Sequence, residues 1–241
     1  MFKGKTILVT GATSGIGLSI VKVLASRNAT LILTARNEDR LKKTTLELGG
    51  NVHRYIVADL VNNDQVNDLA GMLPKLDGIV FCAGYNEYIP IKFIKKENAD
   101  KIFDLNYFST LYLLQKLLKN KLLNKGASLV FISSISSLLG VPATALYAAS
   151  KAAVNATVRV LASELAPQKI RANAICPGIV ITPMLQQDNI DMVQLMEQEK
   201  KYPLGFGKPE DVAHAVAFHL SDESSWLTGN IMNLDGGFTL Q

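Results

Sequence analysis

A strand, a glycine turn and a helix follow one another at the start of this chain, and that order restricts its fold more than any other stretch. Lys5 to Thr10 is rich in β-branched residues and reads as a short buried strand. Gly11-Ala12-Thr13-Ser14-Gly15-Ile16-Gly17 follows at once, and the apolar periodicity from Ile16 to Ala25 predicts a helix. Glycines let backbone N–H groups come close to a pyrophosphate, and a helix N-terminus adds partial positive charge. The turn therefore suits the phosphates of a dinucleotide, although three glycines in seven residues would also make a plain tight turn. Their spacing is Gly-x-x-x-Gly-x-Gly rather than Gly-x-Gly-x-x-Gly.

The alternation continues to the end of the chain. Further strands are predicted at Thr30–Ala35, Asn51–Val57, Leu76–Phe81, Ala127–Ser133, Ile170–Ile175 and Gly229–Leu234. Between them, helical periodicity covers Glu38–Leu48, Asn62–Leu73, about Glu97 to Leu123, and Ala145–Ala166. Asp188–Lys201 has the look of a mobile amphipathic helix, and Pro209-Glu210-Asp211 opens a last one. No linker, repeat or low-complexity tract interrupts the series. The expected fold is α/β: one doubly wound, Rossmann-type domain over residues 1–241, with a single, mostly parallel, seven-stranded sheet and helices on both faces.

Composition removes other classes of function. The net charge of +4 is spread without a basic block, so nucleic acid is not expected as a partner. The lysines from Lys116 to Lys125 read as the wet face of a helix. Cys82 and Cys176 lie far apart and suit a reducing, cytoplasmic compartment. The apolar run Ile7-Leu8-Val9 is too short for a signal peptide, and no stretch approaches a membrane span. His53, His214 and His219 have no Cys or acidic companions in a ligand pattern, so no metal is expected.

Several positions carry chemistry. Tyr147 and Lys151 stand one helical turn apart on one face. A fixed ammonium beside a phenol is expected to lower its pKa and ready it for proton transfer, although a buried Tyr and a surface Lys would show the same pattern. Arg36 ends the second strand where an acid would grip the adenosine ribose in an NAD site; a guanidinium there suits a 2′-phosphate, so NADP(H) is favoured over NAD(H). Arg36 would equally open a surface turn, with Glu38 and Asp39 close enough to compete for it. Asp59 suits either an adenine amino group or the cap of the helix from Asn62. The serines from Ser133 to Ser137 follow a strand, as many polar loops do.

Taken together, Thr10-Gly11-Ala12-Thr13-Ser14-Gly15-Ile16-Gly17, Asn106, Ser134, Tyr147-x-x-x-Lys151 and Pro177-Gly178-Ile179-Val180-Ile181-Thr182 resemble the classical short-chain dehydrogenases/reductases over essentially the whole chain. Ser134 precedes Tyr147 by thirteen residues, the usual interval in that family. The resemblance implies a catalytic set in which Tyr147 exchanges a proton with the substrate oxygen and Ser134 holds that oxygen. Lys151 would lower the phenol pKa and bind the nicotinamide ribose, and Asn106 would hold a water leading to solvent. It implies cofactor contacts from Gly11, Thr13, Ser14, Gly15, Ile16, Gly17, Asp59 and Leu60. Cys82, Ala83, Gly84, Pro177, Gly178, Val180 and Thr182 complete that set, beside Arg36, Tyr147 and Lys151. Residues 184–205 would form a substrate lid.

Two departures stand out. Cys82-Ala83-Gly84 replaces the family's Asn-Ala-Gly, as a tolerated change or as a redox-sensitive thiol beside the cofactor. Phe206 stands where acyl-carrier-protein reductases commonly carry arginine. Even so, Tyr202-Pro203-Leu204-Gly205 and the Thr228-Gly229-Asn230…Asp235-Gly236-Gly237 ending look most like 3-oxoacyl-(acyl-carrier-protein) reductases. The implied activity is NADPH-dependent reduction of a small-molecule carbonyl, such as a 3-oxo thioester on acyl-carrier protein or CoA. Oxidation of a secondary alcohol, sugar or steroid is the alternative, and a non-catalytic dinucleotide-binding protein a lesser one. The resemblance further implies a homotetramer.

Overall fold

The computed structural model describes residues 1–49, 52–183, 185 and 192–240, and of residues 192–194 only the backbone. Asn51 of the predicted third strand, and residues 184 and 186–191 of the predicted lid, lie outside the described residues.

The strands are β1 (Thr6–Thr10), β2 (Thr30–Ala35), β3 (Arg54–Val57), β4 (Leu76–Phe81), β5 (Leu123–Ile132), β6 (Arg171–Pro177) and β7 (Ile231–Leu234). They form one sheet in the order β3-β2-β1-β4-β5-β6-β7, and every neighbouring pair is parallel. Parallel strands need crossovers, which lay helices over both faces; hence the near-continuous apolar runs of β1, β4 and β5. Alternate residues serve alternate faces. Leu8, Ile32, Ile79 and Leu129 join a core with α3 (Asn63–Met72), α5 (Ser109–Lys119) and α6 (Ala145–Leu165). Ile7, Val9, Leu31, Leu33, Val80 and Val130 join a second core with α1 (Gly15–Ser26), α2 (Glu38–Glu47) and α8 (Pro209–Leu220). Each fully buried Leu or Ile in these cores contributes about 1.5–3 kcal/mol relative to exposure. The chain crosses from β3 over β2 and β1 to β4, so the connections that follow β1 and β4 leave in opposite directions and open a crevice at the carboxyl ends of these strands. Among the described residues no helix is long and apolar enough to cross a membrane.

One predicted helix needs correction. The stretch expected from about Glu97 to Leu123 is α4 (Lys96–Phe103), a π-helical turn (Asp104–Phe108) and α5, ending at Lys119. Lys121 then takes φ +53°, and Leu123 already pairs with Leu76 in the sheet. Lys116 and Lys119 therefore lie in the last turn of α5, Lys121 in a left-handed turn and Lys125 on β5, not on one wet helical face. A left-handed residue stops the helix, and strand pairing takes over the apolar Leu122-Leu123 that helical periodicity had claimed. The remaining helix is α7 (Met192–Glu199).

Candidate active site

At the carboxyl end of β1 the glycines are required by contact. A Cβ on Gly17 would stand 2.1 Å from the Gly11 carbonyl oxygen, and one on Gly11 would meet the Ala83 backbone at 3.0 Å. Gly11 and Gly15 take φ +66° and +48°, a region L side chains avoid. The turn is held to β4 by Thr10, whose hydroxyl accepts from Cys82 N (3.0 Å) and Ala83 N (3.1 Å). On its other side, a Cβ on Gly15 would meet the Thr182 side chain at 3.3 Å. The turn at the head of α1 is thus closed in by Ala83 at Gly11 and by Thr182 at Gly15. Ser14 makes no side-chain cap there, and Thr13 and Ile16 flank it half-buried. A cradle in which a Cβ has no room, lying at a helix N-terminus, fits a dinucleotide pyrophosphate.

Around the cradle, Arg36 is exposed, and among the described residues no carboxylate lies within ion-pair distance of it. Glu38 instead accepts from the Tyr55 hydroxyl (3.4 Å). The capping alternative for Asp59 fails. Asn62 caps α3, its Oδ1 accepting from Asp64 N and Gln65 N, while Asp59 Oδ1 accepts from Val61 N (3.2 Å). Two residues after Asn62 the helix has its free N–H groups, which is the reach of a capping side chain, whereas Asp59 closes its own turn. Leu60 is buried beside it.

Cys82 packs against the α1-side core. Burial pushes its thiol up to about 12, outweighing the nearby Lys151 ammonium that pulls it down. It is a protonated thiol, so the redox-sensitive reading loses the thiolate it needs.

The second half of the site sits where β5 and α6 meet. Ser134 is buried and follows β5; its Oγ accepts from Ser136 N (3.1 Å), and its hydroxyl neighbours the Tyr147 phenol closely enough to act on its pKa. Lys151 is buried, with Nζ donating to the Ile132 carbonyl at 2.8 Å and lying 5.8 Å from the Tyr147 ring centre. Asn106, in the π-helical turn, accepts from Tyr85 N (2.7 Å) and donates to Tyr85 O (2.9 Å) and Ser150 Oγ (3.1 Å). Ser150 Oγ in turn donates to the Tyr147 carbonyl (2.7 Å). Gly84 joins the two halves: a Cβ there would lie 3.4 Å from both Asn106 Oδ1 and Lys151 Nζ.

The expected lowering of the phenol pKa is overturned in the protein alone. Burial pushes Tyr147 up to about 12, although the residue is only half-buried by area, and the Ser134 hydrogen bond pulls the other way without reversing it. Burial also lowers Lys151 to about 8. Loss of water around both groups outweighs the effect of one turn of helical spacing, because each charged form is disfavoured by desolvation.

Beyond β6, Pro177 and Gly178 turn the chain towards Val180, which bridges to Gly207. A Cβ on Gly178 would stand 2.9 Å from the Tyr202 ring and 3.1 Å from Asp235 Cα. Reading by sequence missed Thr10, Ser150 and Tyr202 as supports of the site. Thr10 opens the glycine motif, Ser150 lies between Tyr147 and Lys151, and Tyr202 heads Tyr202-Pro203-Leu204-Gly205; that placement was the available signal. Among the described residues no group of three or more His, Cys, Asp and Glu side chains is placed to hold a metal ion.

The family described as enoyl-(acyl carrier protein) reductase matches residues 11–239. The 3-oxoacyl-(acyl-carrier-protein) reductase of Rickettsia felis is 34% identical over 238 residues, covering 98% of each chain. That of Thermotoga maritima is 33% identical over 251 residues, covering 99% of each. A solved short-chain dehydrogenase/reductase from Brucella melitensis, described as a glucose/ribitol dehydrogenase, superposes with a TM-score of 0.93 at 28% identity, over 98% of this chain and 97% of that one. The protein is an oxidoreductase belonging to the short-chain dehydrogenase/reductase family.

Proposed function

We propose that the protein reduces a carbonyl compound with NADPH, and that its substrate is a 3-oxo thioester carried on acyl-carrier protein or CoA. The observation that carries this reading is the Tyr147 phenol placed between the Ser134 hydroxyl and buried Lys151, joined through Gly84 to the glycine cradle. The relatives named as 3-oxoacyl-(acyl-carrier-protein) reductases support the substrate class.

When bound, the nicotinamide supplies a hydride to the carbonyl carbon. Ser134 donates a hydrogen bond to the carbonyl oxygen and fixes its position. Tyr147 gives that oxygen its proton as negative charge builds there, and a phenol held near 12 is fully protonated at neutral pH, as reduction requires. Lys151, protonated below about 8, binds the nicotinamide ribose hydroxyls and stabilises the phenolate left by proton donation. Asn106 Oδ1 and Lys151 Nζ both come within 3.4 Å of where a Cβ on Gly84 would stand, an approach suited to a relay water that returns the proton. Gly11, Thr13, Ser14, Gly15, Ile16 and Gly17 would hold the pyrophosphate, and Asp59, Leu60, Cys82 and Ala83 the adenosine side. Pro177, Gly178, Val180 and Thr182 would meet the nicotinamide carboxamide.

Arg36, exposed and without an acidic partner among the described residues, would take the 2′-phosphate. The test is a fluorescence titration with NADPH and NADH in parallel, followed by turnover of a 3-oxoacyl thioester. NADPH should bind more tightly, and Arg36→Ala should weaken NADPH about tenfold while leaving NADH unchanged. Tighter NADH binding would overturn the preference and favour oxidation of a sugar or secondary alcohol, the reading that the Brucella melitensis relative's description supports. We also infer a homotetramer, which membership of the family implies; the exposed Trp226, Tyr112 and Val160 are apolar surface that such an assembly could cover. Light scattering that returned a monomer would overturn it.

A further inference from the structure

Tyr202 heads the Tyr202-Pro203-Leu204-Gly205 run, to which sequence reading assigned no role of its own, yet the structure gives it an unusual set of contacts. It is buried, its ring stacks on Phe238 (centres 4.5 Å apart) and meets Phe206 edge-on (5.1 Å). Its hydroxyl accepts a hydrogen bond from the backbone N–H of Ile179 at 3.2 Å. Burial pushes its pKa above the ordinary value, so the acceptor is a neutral hydroxyl. The close approach is enforced from the other side, because a Cβ on Gly178 would collide with the ring at 2.9 Å.

Ile179 is also held through its carbonyl. Gly207 N donates to Ile179 O (3.0 Å), and Ile181 N donates to Gly207 O (2.9 Å). Tyr202 N–H and carbonyl are engaged as well, with Glu199 O (2.9 Å) and Gly205 N (2.9 Å). The residues around 179–182 thus have their conformation set by a short ladder to 202–207, in which, among the described residues, the Tyr202 hydroxyl is the one side-chain rung. Thr182, at the end of the same stretch, is the residue that faces Gly15 across the cradle.

We propose that Tyr202 is a positioning residue for the cofactor, its hydroxyl fixing Ile179 so that the Val180–Thr182 backbone meets the nicotinamide end in one conformation. The inference rests on the reading above that Pro177–Thr182 borders the nicotinamide. An aromatic cluster of Tyr202, Phe206 and Phe238 anchors the hydroxyl, so Phe206 in place of the arginine expected at that position belongs to this device. Because the rung touches only the nicotinamide side, its loss separates the two ends of the cofactor. A purely structural role would weaken both ends alike.

The test compares wild type with Tyr202→Phe, which keeps both ring contacts and removes only the acceptor. Dissociation constants are measured for NADPH and for 2′-phospho-ADP-ribose, which lacks the nicotinamide. NADPH should weaken by about fivefold to tenfold in Tyr202→Phe, and 2′-phospho-ADP-ribose by less than about twofold. Equal losses for both probes, or no loss for either, would overturn the proposal while leaving NADPH binding by the wild type intact. Wild type that bound neither NADPH nor NADH would overturn the functional reading and this proposal with it. Failure of Tyr202→Phe to fold would assign the hydroxyl to stability and overturn the positioning role. Amide exchange in the wild type gives an independent check: Ile179 N–H should be protected, and rapid exchange would contradict the bond.

Discussion

A buried cation stands at each end of strands β5 and β6, Lys151 from α6 and Arg171 from β6 itself, and the two are held in opposite ways. At the carboxyl end Lys151 has three ammonium donors and directs one of them, at 2.8 Å, to the Ile132 carbonyl. At the amino end Arg171 gives Nη1 to His219 O (2.8 Å) and Ser224 Oγ (2.9 Å), and Nη2 to Ser221 O (3.0 Å). The same His219 carbonyl also accepts from Ser128 Oγ and Ser224 Oγ. Burial lowers the pKa of both cations. The difference lies in what remains for a ligand. Arg171 is enclosed by protein acceptors and clamps α8 to the sheet, whereas Lys151 stands beside Gly84 and Tyr147 with hydrogen-bonding capacity to offer. A buried charge therefore marks a functional site only when the protein leaves its donors incompletely used.

The contrast is broken most directly by Tyr147→Phe. Loss of the phenol at the Lys151 end should lower carbonyl reduction by about 10²–10⁴-fold, with NADPH binding and the melting temperature nearly unchanged. Full activity in a steady-state assay would remove Tyr147 from the chemistry. Arg171→Met should do the reverse. Loss of the three Arg171 hydrogen bonds to His219 O, Ser221 O and Ser224 Oγ should cost about 3 kcal/mol in urea unfolding, with kcat/KM at 25 °C changed by less than about threefold. A large loss of activity without loss of stability would show that the amino end is coupled to catalysis.

Acid sharpens the comparison at the Arg171 end. Among the described residues neither ring nitrogen of His219 has a hydrogen-bond partner. Burial, helped by Arg171, lowers the His219 pKa from 6.5 to about 4. The native state then binds fewer protons than the unfolded state between those values, so stability falls as pH drops from about 6.5 to about 4. The loss is on the order of 3 kcal/mol. His219→Leu should flatten unfolding free energy over that window, and an unchanged slope would assign acid sensitivity elsewhere.

At the Lys151 end the sign differs between stability and activity. Burial lowers Lys151 from 10.5 to about 8, so the native state releases its proton first and stability should rise between about pH 8 and 10.5. Reduction needs the ammonium, so kcat/KM should fall above about pH 8 by up to tenfold per pH unit. Stability and activity that rose together across this range would show that another group controls the alkaline limb.

Much of this could be read along the chain. The β4 boundaries at Leu76 and Phe81 and those of β2 at Thr30 and Ala35 were predicted to the residue, because buried parallel strands are continuous apolar runs bounded by polar or turn residues. The helix through Asn106 was legible in its period, but its π-helical turn and its end at Lys119 were not. Those depend on Asn106 reaching Tyr85 and on Leu123 pairing with Leu76, contacts between distant positions. Ser134, Tyr147 and Lys151 were singled out by type and spacing, and the structure brings them to one place.

By itself the sequence determined the alternation of strand and helix, the glycine turn after β1 and the family to which the chain belongs, since each follows from local pattern and residue type. Only the tertiary structure decided the electrostatics. Helical spacing puts an ammonium beside a phenol, but the water removed by packing raises Tyr147 and lowers Lys151. It also decided the partners of Arg171 and Tyr202, whose hydrogen bonds join residues 23 to 53 positions apart. Desolvation and long-range hydrogen bonding are properties of how elements meet, and no local pattern contains them.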